Sequence, residues 1–381
     1  MNKKIYYIAH CRFPSERAHA IQVAKMIEAM SLNGFEVELI VPDRENAISQ
    51  SPKNFYGLQT DILVKYLKIC DLYRFGKLGY RLSGLSFILA YRRFIKERQK
   101  AGEKFLLYTI DMDQFSLIGV SFLHTPFVVE VHDAKKYSWI FNRMFKRATA
   151  ILTINNLIKN EIVKTFSLSS EKVLVQPNGI DLQMFSKPAD KAAWRGKWSI
   201  LLNRPFVLYV GKCYDWKGLE IFDQALKALP EINFGFVGCS KGEVEKMTGQ
   251  KYDLPNVLFF SQRPYTEMVD WMRSADILLV IGTKKNEYSY YHTSPMKLFE
   301  YLATGVPILV ADTPAIKDMV SEKEVFFYQA DNSESFVSSI RKIISDQKTA
   351  GLRSAEALNL AGKLSWSSRV LLVLNFVKNK L

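Results

Sequence analysis

The sequence predicts an α/β protein built from two similar domains, each with an open, doubly wound parallel sheet. Two series of apolar runs alternate with amphipathic helical segments, one before residue 183 and one from residue 205 onwards. Such alternation predicts parallel strands joined by right-handed crossovers. A length of 381 residues and an apolar fraction of 48% suffice for two separate cores.

The first series begins almost at the amino terminus. Its predicted strands are residues 4–9, 35–41, 105–110, 126–131, 150–154 and 172–176. A helix of residues 17–33, ended by Gly34, joins the first two strands, and basic helical segments occupy residues 61–101. No Gly-x-Gly-x-x-Gly follows the first strand, so the dinucleotide-binding fingerprint is absent.

The second series predicts strands at residues 206–211, 233–238, 257–260, 276–281, 307–311 and 324–328. We therefore expect four segments: an N-terminal domain of residues 1–182, a linker and lead-in helix of residues 183–204, a C-terminal domain of residues 205–364, and a helix of residues 365–381 packed back on the N-terminal domain. Ligands of such sheets bind at the carboxyl ends of the strands. Two such domains facing across a cleft would hold the ligand between them.

Residues 293–312 are the most informative stretch, and they predict a loop, a short helix and a buried strand. Ser294 suits the N-cap, and Pro295 suits the first helical position. Gly305 suits the C-terminal end of the helix.

The start of this helix offers the amides of Met296 and Lys297 to an anion, and a diphosphate would fit there. Glu300, one turn further, is suited to hold sugar hydroxyls. An ordinary crossover helix with a Lys297–Glu300 surface pair explains the same residues equally well.

The net charge of +14 is unevenly distributed. Residues 65–104 carry eleven lysines and arginines against three acids, with aromatic residues between them. This mixture is typical of a surface that docks on anionic lipid headgroups. A solvated helix face with buried aromatics is the alternative, and no nucleic-acid-binding signature is present.

The composition also predicts the compartment. The four cysteines are scattered and form no Cys-x-x-Cys pair, which argues against a zinc site and indicates a reducing compartment. No apolar signal region and no membrane-spanning run is found. We expect a cytoplasmic protein that can lie on the inner face of the cytoplasmic membrane.

Five motifs in chain order resemble those of one enzyme family. They are residues 13–22 closed by Gly34, residues 129–133 (Val-Glu-Val-His-Asp), residues 177–181 (Pro-Asn-Gly-Ile-Asp), residues 207–211 followed by Lys217-Gly218, and residues 294–307. Together they resemble glycosyltransferase family GT4, retaining enzymes of the GT-B fold that use nucleotide-sugar donors. The resemblance covers nearly the whole chain.

The resemblance implies a role for each matching residue. The donor diphosphate would be held by Gly211, Lys212, Lys217, Ser294, Met296 and Lys297. Glu300 would bind the ribose and His132 would lie near the reacting sugar and acceptor. Arg17 and Ala18 would lie in a loop that closes over the donor, and His292 and Thr293 would lie near the donor sugar.

The resemblance also implies the activity, which is transfer of a sugar from a UDP- or GDP-linked donor to a glycan or lipid-linked acceptor in cell-surface polysaccharide synthesis. No cofactor or metal is expected, because cationic side chains do the work of a metal. Asp111 and Asp113 form a lone Asp-x-Asp, for which a solvated turn or helix cap is the preferred interpretation.

Three positions depart from the family pattern. His292 stands where a second, sugar-binding glutamate is frequent, Arg17-Ala18 replaces a Gly-Gly pair, and Ile110 replaces an arginine. Two alternatives therefore stay open. One is a sugar-nucleotide 2-epimerase of the same fold, and the other is a non-catalytic relative that binds membranes or acidic polymers.

Overall fold

The computed structural model describes residues 3–110 and 117–381. Internal contacts divide the chain into two compact units. The first unit consists of Met1–Asn178 with Trp366–Leu381, and the second is Gly179–Ser365.

The described part of the first unit contains a seven-stranded sheet. Its strands are β1 (Lys4–Ile8), β2 (Glu36–Pro42), β3 (Leu63–Leu67), β4 (Leu106–Ile110), β5 (Phe127–Val131), β6 (Ala150–Thr153) and β7 (Val173–Val175). They are all parallel, in the order β3-β2-β1-β4-β5-β6-β7. The first helices of this unit are α1 (Ala18–Leu32), α2 (Pro52–Tyr56), α3 (Gly76–Lys100), α4 (Trp139–Arg147) and α5 (Asn156–Phe166).

The second unit contains a six-stranded sheet, again all parallel. Its strands are β8 (Phe206–Val210), β9 (Asn233–Val237), β10 (Val257–Phe259), β11 (Ile277–Val280), β12 (Ile308–Ala311) and β13 (Phe326–Tyr328). Their order is β10-β9-β8-β11-β12-β13.

Nine α-helices are described in the second unit. They are α6 (Leu182–Phe185), α7 (Lys191–Lys197), α8 (Phe222–Ala228), α9 (Lys241–Thr248), α10 (Met268–Ser274), α11 (Met296–Leu302), α12 (Pro314–Lys317), α13 (Ser333–Ser345) and α14 (Gln347–Ala361). The last helix, α15 (Trp366–Lys378), returns to the first unit and packs on α1.

The central strands of both sheets are buried on both faces. Every residue of β4, β5, β8, β9, β11 and β12 is buried. Parallel sheets need this protection because crossover helices cover them on both sides. This arrangement fixes the positions of the candidate site residues, because they lie on segments that follow the carboxyl ends of strands.

The fold class predicted from the sequence is confirmed, and the predicted strands are present with ends shifted by at most two residues. Several elements were not predicted, among them β3, α14 and the helices α2, α4, α5, α9 and α10. Residues 63–67 form edge strand β3 rather than helix, and most of its side chains are not buried. Helix α14 was missed because its buried residues are small and give no large apolar stripe, namely Ala350, Ser354, Ala357 and Ala361.

Two of the cysteines are paired. Cys213 and Cys239, with Cα atoms 5.7 Å apart, form a disulfide between the segments that follow β8 and β9. Disulfides persist mainly in oxidising compartments, so the cysteines no longer support the expectation of a reducing one. Cys11 and Cys70 are free thiols.

No helix in the described part of the chain is both long enough and apolar enough to cross a membrane.

Candidate active site

Two lysines of the second unit bring their ammonium groups together beside Gly211, the residue after β8. A methyl carbon at Gly211 would lie 3.7 Å from Lys297 Nζ and 3.8 Å from Lys217 Nζ. Gly211 has a φ of 132°, in the region that favours glycine. The missing side chain therefore leaves a space at the strand end that two cations border.

The ring of Tyr209 and nearby carbonyl groups hold the two ammonium groups. Lys217 Nζ donates to the carbonyl of Lys212 at 2.7 Å and to the Tyr209 hydroxyl at 3.3 Å. Lys297 Nζ donates to the carbonyl of Val210 at 3.1 Å and lies 3.8 Å from the centroid of the Tyr209 ring. An ammonium group has three donors. Among the contacts of the described residues, each lysine keeps at least one donor for a ligand.

Both lysines have lowered pKa values. Burial lowers the pKa of Lys217 to about 8. Burial, together with the positive charge of Lys217, holds the pKa of Lys297 well below its usual range. A bound anion would favour the charged forms and reverse this effect. The space beside Gly211 is thus suited to an anion such as a diphosphate.

Glu300 lies on the same helix as Lys297, one turn further along α11. Its side chain is buried, with 8% of the residue exposed, and Oε1 accepts a hydrogen bond from the Tyr265 hydroxyl at 2.8 Å. The interpretation of Lys297 and Glu300 as a surface pair is wrong, because Glu300 is buried and Lys297 Nζ bonds to the carbonyl of Val210 instead.

The start of α11 differs from the prediction by one residue. Pro295 is the N-cap and Met296 is the first helical residue, and no side chain caps the helix. Ser294 is not the cap, because its hydroxyl points to Met319 Sδ at 3.3 Å. Gly305 has a φ of 75° but lies two residues beyond the C-cap, Ala303.

The residues before α11 form one turn of π-helix, Tyr288–His292. His292 and Thr293 are buried, whereas Tyr291 is exposed. The Tyr288 ring lies 5.1 Å from that of Trp216, in the segment that carries Lys217. This turn therefore packs against the lysine-bearing segment.

The first unit holds His132, which follows β5 as predicted. Its Nε2 lies 2.8 Å from Oε1 of the buried Glu130 and 3.1 Å from Nε2 of Gln22 on α1. Glu130 in turn pairs with Arg369 of α15, at 2.7 Å between Oε1 and Nη2. With 19% of its side chain exposed, His132 is the part of this cluster that solvent reaches.

His19 lies next to His132, with ring centroids 6.4 Å apart. Burial and the neighbouring His132 lower the pKa of His19 to about 3, so its ring is neutral at pH 7. Its Nε2 is buried without a hydrogen-bond partner among the described residues. Arg17 and Ala18 are exposed at the start of α1.

The structure thus groups the predicted residues by unit. Around Gly211 and α11 it brings together Lys212, Lys217, His292, Thr293, Ser294, Met296, Lys297 and Glu300. His132, Arg17 and Ala18 belong to the first unit. Sequence reasoning missed Glu130 and Arg369. A charged residue within the apolar run of β5 is the signal that could have found Glu130, whereas Arg369 follows two serines at the start of α15 and shows no such signal.

Metal binding finds no support in the described side chains. Within residues 3–110 and 117–381, no three His, Cys, Asp or Glu side chains are placed to hold a metal ion. Asp111 and Asp113 lie outside the described residues.

Comparison with known proteins gives two family matches that together span most of the chain. Residues 19–184 match the sequence model of Glycosyltransferase Family 4, and residues 190–359 match that of Glycosyl transferases group 1.

Two curated relatives illustrate the level of similarity. The teichuronic acid biosynthesis glycosyltransferase TuaH of Bacillus subtilis is 23% identical over 53% of this chain and 50% of its own length. The UDP-Gal:alpha-D-GlcNAc-diphosphoundecaprenol alpha-1,3-galactosyltransferase of Escherichia coli is 23% identical over 58% of each chain. The matches thus span only about half the length of these relatives.

Solved structures match over the whole chain. A glycosyltransferase from Rickettsia africae has a TM-score of 0.76 at 12% identity, covering 100% of this chain and 98% of the other. Anabaena HepE, solved in complex with UDP, has a TM-score of 0.73 at 16% identity, covering 99% and 100%. At such identities the likeness shows the fold, and with the two family matches it shows that the chain belongs to the group 1 glycosyl transferases of the GT-B fold.

Proposed function

We propose that the protein is a retaining glycosyltransferase. It moves a sugar from a UDP- or GDP-linked donor to a glycan or lipid-linked acceptor, in cell-surface polysaccharide synthesis. The observation that carries this proposal is the pair of ammonium groups beside Gly211, with Glu300 on the helix that supplies one of them.

These groups match the chemistry of a nucleoside diphosphate. Lys217 and Lys297 would meet the phosphate oxygens, with Lys212 in the same segment, and Glu300 would accept hydrogen bonds from the ribose. The relatives support this assignment, since HepE was solved with UDP and with UDP-glucose. The name of the Escherichia coli relative states a UDP-linked sugar and a diphosphoundecaprenol-linked acceptor.

In the transfer, the bond between the anomeric carbon and the diphosphate oxygen breaks, and the electron pair leaves with the nucleoside diphosphate. The acceptor oxygen then bonds to the same face of the sugar and its proton passes to the departing phosphate. Preorganised positive charge stabilises the growing negative charge on the leaving group. Lys217 and Lys297 supply that charge, so the proposal requires no metal.

We assign His132 to the reacting end of the sugar and acceptor. Its ring is partly exposed at the carboxyl end of β5, where ligands of parallel sheets bind. Arg17 and Ala18 at the start of α1 belong to the loop that we propose to close over the donor. We assign His292 and Thr293 to the donor sugar.

A surface of the first unit supports a lipid-linked acceptor. Helix α3 exposes four leucines at helical spacing, namely Leu78, Leu82, Leu85 and Leu89, which are 45% to 68% exposed. Exposed basic residues flank them, namely Lys77, Arg81, Arg93, Lys96 and Lys100. We call this surface the leucine face. Apolar side chains flanked by cations suit the surface of an anionic bilayer, and we propose that the enzyme works on the inner face of the cytoplasmic membrane.

The proposal is tested first by a thermal-shift panel of UDP, GDP, ADP and their sugar conjugates, because a bound ligand raises the apparent melting temperature. We expect a shift with UDP or GDP and none with a nucleoside alone. Transfer from the sugar conjugate that binds is then assayed with lipid-diphosphate acceptors. Glu300→Ala should abolish transfer and leave the fold intact, and undiminished turnover would overturn the assignment.

A further inference from the structure

A network of buried polar groups joins His132 to the last helix of the chain. Glu130 is at its centre, fully buried on β5. Its Oε1 accepts hydrogen bonds from Gln22 Nε2 at 2.8 Å and from Arg369 Nη2 at 2.7 Å. Its Oε2 accepts a hydrogen bond from the Tyr108 hydroxyl. All these residues belong to the first unit.

We propose that Arg369 is a positioning residue which, through Glu130, fixes the orientation and tautomer of the His132 ring. The Glu130 carboxylate holds the hydrogen on Nε2 and so leaves Nδ1 to accept a hydrogen bond from a substrate hydroxyl. This role rests on the proposed transfer reaction, whereas the tautomer itself can be measured without it.

The tautomer follows from the contact at Nε2. A carboxylate has only acceptors, and Oε1 of Glu130 lies 2.8 Å from His132 Nε2. A lone pair on Nε2 would face a lone pair on oxygen at that distance. The amide nitrogen of Gln22, 3.1 Å from Nε2, is also a donor, but its shorter contact, 2.8 Å, is with Oε1 of Glu130. The carboxylate contact therefore assigns the hydrogen to Nε2. The partner of one ring nitrogen thus decides which nitrogen is free for chemistry.

Arg369 is what keeps Glu130 ionised. Burial by itself would raise the pKa of Glu130, but the charge of Arg369 and the contacts with His132 and Tyr108 together outweigh burial and hold this pKa well below its usual range. A buried carboxylate without a cation would take up a proton. A neutral carboxyl group could then turn its own hydrogen towards Nε2 and select the other tautomer.

Backbone carbonyl groups after β7 fix the position of the Arg369 side chain. Nε donates to the carbonyl of Pro177 at 2.8 Å, and Nη2 lies 3.4 Å from that of Gln176. These residues follow β7, whereas Arg369 lies on α15. The side chain of Arg369 therefore connects α15 to the segment after β7 and to Glu130, the carboxylate that contacts His132.

Removing Arg369 alone would leave an uncompensated buried charge, which can prevent folding. The test therefore uses the double variant Glu130→Leu with Arg369→Met, since replacing both partners by apolar groups of similar volume is frequently neutral. Arg369→Lys is the conservative variant, because it keeps the charge and loses the forked geometry.

Long-range ¹H–¹⁵N correlation of ¹⁵N-histidine-labelled protein reads the tautomer directly. We expect a single tautomer with hydrogen on Nε2 in the wild type and in Arg369→Lys. In the double variant we expect a mixture of both. We also expect kcat to fall by about tenfold or more, as for loss of a partner that orients a site histidine. The donor KM and the UDP affinity should stay within about twofold of the wild type.

The matched control is a second buried ion pair of this unit, Lys25–Glu28, whose Nζ and Oε2 are 3.1 Å apart on α1. Lys25→Met with Glu28→Leu should change neither the tautomer nor kcat. An unchanged tautomer and kcat in the Glu130 and Arg369 double variant would overturn the proposal, as would an equal loss in the control. If wild-type protein transfers no sugar, the proposed function fails, and the tautomer alone then decides this inference.

Discussion

Lys217 and Lys297 direct their ammonium groups to one point beside Gly211, from two segments about eighty residues apart in the sequence. Burial disfavours the charged form of both lysines, and the positive charge of Lys217 disfavours that of Lys297 further. An anion between them removes this conflict. Four of the following predictions concern this site and its surroundings.

Donor binding should depend on pH in a defined direction. Lys217 has a pKa of about 8 in the free protein, so it loses its proton as the pH rises through that value. We expect UDP affinity to fall as the pH rises through about 8, by about tenfold per pH unit well above that value. Calorimetry across this range, in two buffers of different ionisation enthalpy, should also detect proton uptake on binding. A constant affinity up to about pH 10 would contradict the prediction.

Replacing Lys297 by methionine should separate binding from stability. We expect UDP to bind about tenfold or more weakly, because charge-assisted hydrogen bonds are worth about 1.5–3 kcal/mol. The melting temperature of the free protein should not fall, because the substitution removes a desolvated cation. Lys227→Met, at an exposed lysine of the same unit, controls for net charge and should leave UDP binding unchanged.

Glu300 should determine the preference for a ribose. Wild-type protein should bind UDP about tenfold or more tightly than 2′,3′-dideoxy-UDP, which lacks the hydroxyl groups that a carboxylate accepts from. Glu300→Ala should bind the two ligands equally. Tyr265→Phe removes the donor at 2.8 Å and should give an intermediate preference. A preference that survives in Glu300→Ala would show that another residue binds the ribose.

Gly238 should be essential for the geometry of Gly211. It has a φ of 94°, and a methyl carbon there would lie 3.1 Å from the carbonyl carbon of Gly211. Gly238→Ala should lower the free energy of unfolding by about 1–3 kcal/mol and weaken UDP binding. Gly242→Ala is the matched control. Its added methyl carbon meets nothing within 4 Å in α9, so stability should rise by about 0.5–1 kcal/mol in urea unfolding.

The leucine face should bind anionic vesicles. We expect sedimentation with vesicles rich in phosphatidylglycerol, little with phosphatidylcholine, and a decline as salt is added. Changing Leu82, Leu85 and Leu89 to glutamine should release the protein from the vesicles. Leu352→Gln, at a leucine of the second unit that is 62% exposed, should have no effect. Equal release by the control, or vesicle binding that survives in the triple variant, would contradict the assignment of the leucine face to the membrane.

The architecture could be predicted from the sequence, because each buried parallel strand appears in it as a short apolar run that ends at turn residues. Motif order also singled out Lys217, Lys297 and Glu300 as candidate site residues. It could not show that Lys297 turns towards the carbonyl of Val210 and away from Glu300, because that choice depends on β8 lying next to the helix. Side-chain direction on a short helix is a tertiary property.

The network around His132 was beyond sequence reasoning for a similar reason. Glu130 and Arg369 are 239 positions apart in the chain. Glu130 is a charged residue within an apolar run and Arg369 precedes one, and only the return of α15 to the first unit makes them partners. The disulfide between Cys213 and Cys239 could not be predicted either, because the two cysteines are 26 positions apart and form no short motif.

The return of α15 also has a consequence for biosynthesis. Arg369 follows the whole second unit in the chain, so it emerges from the ribosome long after β5 and the rest of the first sheet. Until then Glu130 has no cation, so residues 1–178 cannot complete their core while the second unit is being made. We expect this unit to stay open to chaperones and proteases during synthesis, and a chain truncated before Trp366 to be degraded even though its second unit can fold.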